Sequence, residues 1–282
     1  MTVAVAVNAV DSIVLASDSA TTQLIQTQAG QIETINIWNS ANKIFNLRKT
    51  WPVGTMTWGR ASLGGRSIAT LAKELRCRLS DQRSSHQDWA LDPASYTIQA
   101  VAERVKTFFY DEHYQADPDA NDLLGLMVAG YSAGSDMAEL YVIEMDQKGC
   151  RGPDKAGQPD QPFLTWRGVP EAIARLANGI SGKLPEALVQ LGVPPGDVLA
   201  YVQQIQEKTG IPLVFPGMPV GEVIDLAEFL VEATIKFVRF APGHQIVGGP
   251  VEVAAMTRHE GFKWIKRKHH YPHERNPAET LP

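Results

Sequence analysis

Apolar residues run together in short stretches at both ends of the chain and recur at helical steps between them. TVAVAV (2–7) and IVLAS (13–17) are β-branched and apolar on either side of the polar NAVDS, which predicts a hairpin. KIFNL (43–47) and TMTWG (55–59) predict two more short strands, after a longer polar excursion over 23–42. Beyond Gly64-Gly65 the residues Ile68, Leu71, Leu75 and Leu79 fall at three- and four-residue steps, one face of a helix. Ile98, Val101, Val105 and Phe108 repeat that pattern after Asp92-Pro93, which supplies a start signal.

The second half follows the same order. LLGLMVAGY (123–131) and ELYVIEMD (139–146) are near-continuous apolar runs joined by SAGSD, a hairpin buried on both faces. GCRGPDKAGQPDQP (149–162) is rich in Gly, Pro and Asp and predicts an exposed loop. FLTW (163–166) predicts a strand, and Pro170 suits the first turn of a helix carrying Ile173 and Leu176. Two weaker amphipathic patterns, LPEALVQL and VLAYVQQI, occupy 181–217, and the longest helical pattern runs from Val220 to Phe240. VEVAAMT (251–257) and FKWIK (262–266), joined by RHEG, predict a closing hairpin.

Strands, helices, strands, helices, strands is an α+β order. Two sheets face to face with helices outside would bury every one of these apolar faces, although the order also fits other α+β layouts. At 282 residues with 44% hydrophobic and 20% charged, the chain is long enough for a sizeable core. A net charge of −5 argues against a general nucleic-acid binder. The basic tract KWIKRKHH (263–270) reads as a solvated edge. Cys77 and Cys150 are too few and too far apart for a disulfide framework or a zinc site. The first residues lack a basic segment and are interrupted by Asn8 and Asp11, so no signal peptide is expected, and no apolar run is long enough to span a membrane. The expected location is cytoplasmic. His269, His270 and His273 sit beside Pro272 in a polar tail (269–282) and read as tail rather than as a metal site, so no metal is expected.

One position breaks the pattern. Asp18 follows the apolar strand IVLAS at once, where a carboxylate needs a reason to be. A buried lysine would supply one, because a buried cation requires a counter-charge, and Lys43 opens the next apolar strand. Thr2 stands directly behind Met1, and a small second residue is what Met-removing aminopeptidases accept. Once exposed, its α-amine, with an ordinary pKa near ~8, is a base placed beside its own hydroxyl. A neighbouring lysine would favour the charge that develops on that hydroxyl, and a glycine N–H, with Gly59 as the candidate, would hold an oxyanion.

Thr2, VLASDSATT, NKIFNL and TWGRASLGG together resemble the catalytic β-type subunits of the proteasome family, most closely its divergent bacterial members. VGGPVEVAAMTRHEGFKWI is similar to the family's closing Gly-Gly, strand, turn and strand. The resemblance implies a four-layer αββα sandwich of the N-terminal nucleophile hydrolase type over 2–268, with a helical insertion at 181–217. It implies catalytic roles for Thr2, Asp18, Lys43 and Gly59, and substrate contacts at Thr21, Thr22, Phe45, Thr57, Arg60 and Ala61. The expected activity is a threonine-type peptidase, without cofactor, assembled with itself into a ring or array and acting on peptides or unfolded proteins. The uncharged Thr21, Phe45, Thr57 and Ala61 imply a preference for apolar or small neutral side chains. Whether an ATPase unfoldase serves it is left open. The chain departs from the family where supporting serines and an aspartate are expected. Those places fall near Arg167, His244 and Val247. Two alternatives therefore stand beside the peptidase: a non-catalytic structural subunit of the same fold, and an N-terminal nucleophile amidase on a small substrate.

Overall fold

The computed structural model describes residues 2–26, 32–80, 87–158 and 160–268. The chain is a mixed α and β protein with several sheets. It opens with strands β1 (Val3–Asn8) and β2 (Ser12–Ser17), the expected hairpin, both strands of which are buried at every residue. Among the described residues β3 (Thr21–Gln26) and β4 (Ile32–Trp38) pair only with each other. This second hairpin lies where the pattern predicted a polar excursion. Its TTQLIQ and INIW stretches are β-branched enough for strands, but interleaved polar residues hide them. β5 (Ile44–Asn46) and β6 (Val53–Gly59) follow, then the short pair β7 (Ser62–Leu63) and β8 (Arg66–Ser67).

Helix α1 (Ile68–Ser80) buries Ile68, Leu71, Leu75 and Leu79, the stripe read from the sequence. Helix α2 (Ile98–Lys106) starts at an N-cap on Thr97, whose side chain accepts the Ala100 N–H, rather than at Asp92-Pro93. It continues as a π-helical stretch over Thr107–Tyr114 that buries Phe108 and Phe109. β9 (Leu124–Tyr131) and β10 (Ala138–Asp146) form the central hairpin. The predicted loop after it is instead strand β11 (Gly149–Lys155), paired with β10 alone across a register shift. Pro153 falls within that shift and has no partner on β10, so its missing N–H costs no ladder hydrogen bond. β12 (Phe163–Gly168) leads to helix α3 (Glu171–Ile173), then α4 (Leu184–Gln190), α5 (Val198–Thr209) and the long α6 (Val220–Phe240). β13 (Glu252–Thr257) and β14 (Gly261–Lys266) close the described chain.

Two antiparallel five-stranded sheets result, in the orders β12-β1-β2-β13-β14 and β11-β10-β9-β6-β5. Three clusters of buried side chains explain their arrangement. Ala4, Ala6, Ile13, Leu15 and Met256 of the first sheet pack with Met56, Trp58, Met127 and Ala129 of the second. The alternate residues of the first sheet, Val3, Val5, Val14 and Val253 among them, pack under Val223, Ala227, Leu230 and Val231 of α6. Leu126, Val128 and Ile143 of the second sheet pack under Leu71 and Leu75 of α1 and Val101 and Val105 of α2. Burial on both faces is why these strands read as apolar runs rather than as alternation. The 181–217 segment forms α4 and α5 as the pattern predicted, and leaves Leu191, Leu199 and Ile211 exposed. No helix among the described residues is long and apolar enough to cross a membrane.

Candidate active site

Thr2, Asp18 and Lys43 are all buried, at 3%, 0% and 5% exposure. β1 and β2 pair so that Ala4 lies opposite Ser17, which brings the residue after β2 beside the residues that open β1. The Asp18 N–H accordingly donates to the Val3 carbonyl at 3.3 Å. Ala4 and Ala6 face the second sheet, and Thr2 precedes β1 two positions before Ala4.

The Asp18 carboxylate is saturated. Its Oδ1 accepts Lys43 Nζ at 2.6 Å and the Val3 N–H at 3.0 Å. Its Oδ2 accepts the Ala20 N–H at 3.0 Å and the Gly248 N–H at 3.1 Å. A carboxylate offers about four acceptor positions, so none is left to take a proton and the role open to Asp18 is positional. It fastens the start of β1, its own turn and the loop before β13 around one ammonium group. Burial pulls the Lys43 ammonium below the ordinary lysine range, opposed by the charge and hydrogen bond of Asp18. The result is a cation that shares one carboxylate oxygen with the amide following Thr2, in surroundings where its field is weakly screened.

The backbone around Thr2 is tightly enclosed. Its carbonyl accepts the Val169 N–H at 3.0 Å, and Gly168, at φ +91°, passes so close that a Cβ there would stand 1.7 Å from the Thr2 oxygen. Gly59 ends β6, exposed, at φ +86°, and a Cβ there would stand 2.1 Å from the Leu123 carbonyl oxygen. Only glycine fits at either place.

The remaining predicted site residues are dispersed among several roles. Thr57 is buried and accepts no free part in a cleft: its hydroxyl donates to the Gly125 carbonyl at 3.1 Å and its N–H to the Lys43 carbonyl at 2.9 Å. Phe45 packs in the cluster beneath α1. Thr21 and Thr22 are half-buried on β3, opposite Trp38 and Ile37. Ala61 is exposed and its carbonyl accepts the Ile68 N–H at 3.0 Å. The Arg60 guanidinium pairs with Asp117 at 3.1 Å and donates to the carbonyls of Ser62 and Asp119, which turns it to the neighbouring loops. Arg167 lies opposite Ala4 on β12 and directs its guanidinium along the sheet edge, 3.5 Å from Glu144. His244 is exposed and Val247 fully buried. Among the described residues no three His, Cys, Asp or Glu side chains gather as a metal site requires. The tail histidines lie outside the described residues.

Sequence reasoning missed a second buried pair behind the first. Glu252, 1% exposed, accepts the Lys43 backbone N–H at 3.4 Å and lies 3.5 Å from Lys268 Nζ. A carboxylate inside the apolar VEVAAMT strand is the same signal that singled out Asp18, so Glu252 was findable. Lys268 was not, because it sits in a basic tract that reads as solvated, yet its side chain is 7% exposed.

No protein-family model matches the chain, and no curated protein matches it.

Proposed function

We propose that the protein is a threonine-type N-terminal nucleophile hydrolase that cleaves peptide bonds, similar to the β-type subunits of the proteasome family. The observation that carries this reading is the shared Oδ1 of Asp18, which binds both the Lys43 ammonium and the amide directly after Thr2. A buried cation fixed at the first residues of a strand is costly without a use for its field. On this reading the two sheets and their flanking helices are the layers of an αββα sandwich of the N-terminal nucleophile type.

Removal of Met1 exposes the Thr2 amine. Thr2 Oγ1 attacks the scissile carbonyl while that amine takes the hydroxyl proton, directly or through water. Lys43 stabilises the negative charge that develops, Asp18 holds Lys43 in place, and the Gly59 N–H receives the oxyanion. Collapse of the tetrahedral intermediate passes the proton to the leaving amine and leaves an ester on Thr2. Water, deprotonated by the same amine, hydrolyses that ester and regenerates the threonine. Self-assembly into a ring or array would keep so unselective a site away from folded proteins.

A second reading is a non-catalytic subunit of the same fold. It is favoured by Arg167, whose guanidinium lies 3.5 Å from Glu144, and by the exposed His244, neither of which supplies the serine or aspartate expected near those positions. Hydrolysis of a panel of short fluorogenic peptides separates the two. The hydrolase reading expects cleavage after apolar or small neutral residues, lost in Thr2→Ala. Absence of cleavage by the folded, Met1-free chain supports the structural subunit.

A further inference from the structure

Three loops meet at the Asp18–Lys43 pair, and Ser19 ties its own loop to the other two. The Ser19 N–H donates to the Gly248 carbonyl at 2.9 Å, the Ala41 N–H to the Ser19 carbonyl at 3.0 Å, and the Ser19 hydroxyl to the Pro250 carbonyl at 2.5 Å. Lys268 reaches into this junction from just beyond β14. Its ammonium contacts the Ser19 hydroxyl at 2.6 Å, the Ala41 carbonyl, and Glu252 at 3.5 Å. Two of these contacts are hydrogen bonds and the third an ion pair, so the ammonium is turned to the protein's own groups.

We propose that Lys268, with Glu252, is a positioning residue that sets the placement and charge state of Lys43. The Lys268 ammonium fixes the loops that carry Asp18 and Lys43, and Glu252 touches both lysines. The charged groups facing Lys43 are Asp18, Glu252 and Lys268, and those facing Lys268 are Glu252, Asp18 and Lys43. Lys268 opposes the Lys43 cation and Glu252 favours it. The effect on reaction rate rests on the hydrolase reading above, and the effect on Lys43 does not.

The test is a pH titration of Lys43 by NMR of protein labelled at the lysine side-chain carbons, with the rate of modification by a peptide epoxyketone measured in parallel. Three variants are compared: Lys268→Met, Glu252→Gln, and the double variant, which leaves no unpaired charge. The titration midpoint of Lys43 is expected to rise in Lys268→Met, fall in Glu252→Gln, and return toward the wild-type value in the double variant. The double variant is expected to react about tenfold or more slowly, as displaced catalytic groups do. Opposite shifts are not what a general loosening produces. A wild-type chain that takes no adduct, with the Lys43 shifts as stated, overturns the hydrolase reading and supports this one. Unmoved or same-direction midpoints in folded variants overturn the positioning role. So does a double variant that keeps the wild-type midpoint and rate when the single variants do not fold.

Discussion

Lys43 Nζ lies 2.6 Å from Asp18 Oδ1, and the same oxygen accepts the Val3 amide 3.0 Å away. One carboxylate thus couples a buried cation to the start of the first strand. Because Asp18 spends all its acceptor positions on Lys43, Val3, Ala20 and Gly248, it acts as a fixture and not as a base.

Breaking this pair from one side leaves a buried charge without a partner. Asp18→Asn is expected to cost about 3–5 kcal/mol in denaturant unfolding. Asp18→Asn/Lys43→Met removes both charges and is expected to recover much of that stability while remaining without hydrolytic activity. Equal stability of Asp18→Asn and wild type contradicts the burial of the pair.

The pH dependence follows from the direction in which Lys43 is shifted. Burial lowers its folded value below that of the unfolded chain, ordinarily ~10.4. Between the two values the unfolded chain binds more protons, so stability rises with pH through that window. The penalty is full below the folded value and gone above the unfolded one. Lys268 is shifted the same way by burial. Wild-type stability measured relative to Lys43→Met is therefore expected to increase as the pH rises toward ~10, and a flat difference contradicts the shift.

Gly168 and Gly64 separate a crowded glycine from a merely left-handed one. A Cβ at Gly64, φ +53°, meets nothing within 4 Å, so Gly64→Ala is expected to cost about 1–2 kcal/mol. At Gly168 it meets the Thr2 carbonyl oxygen at 1.7 Å. Gly168→Ala is expected to cost clearly more, about 3 kcal/mol or above, and to abolish activity by displacing Thr2. Thermal unfolding of both variants compares them directly.

Leu15 and Leu199 test the packing between the sheets. Leu15 is fully buried against the second sheet, whereas Leu199 is 74% exposed on α5. Leu15→Ala is expected to cost about 2–5 kcal/mol, and Leu199→Ala to stay within about 0.5 kcal/mol.

What the sequence could reveal depended on whether a residue's surroundings are local. Ile68, Leu71, Leu75 and Leu79 announced α1 because the helix period is written in the chain, and Val220–Phe240 announced α6 for the same reason. Asp18 stood out because a carboxylate ends a buried strand, and Glu252 offered the same signal unread. β11 was hidden because Gly and Pro are turn residues everywhere except at an edge where no ladder bond is lost. Thr57, Phe45 and Arg60 have surroundings set by partners far along the chain, in Gly125, α1 and Asp117. Lys268 lay beyond pattern altogether, since only the fold turns one lysine of a basic tract inward.

The central claim is that Thr2 carries a nucleophile and its own base. A peptide epoxyketone needs both a hydroxyl and a free α-amine on one residue, so intact mass after incubation tests them together. The account predicts a chain lacking Met1 with one stoichiometric adduct, absent from Thr2→Ala. A folded chain that retains Met1, or that loses it and takes no adduct, contradicts the account.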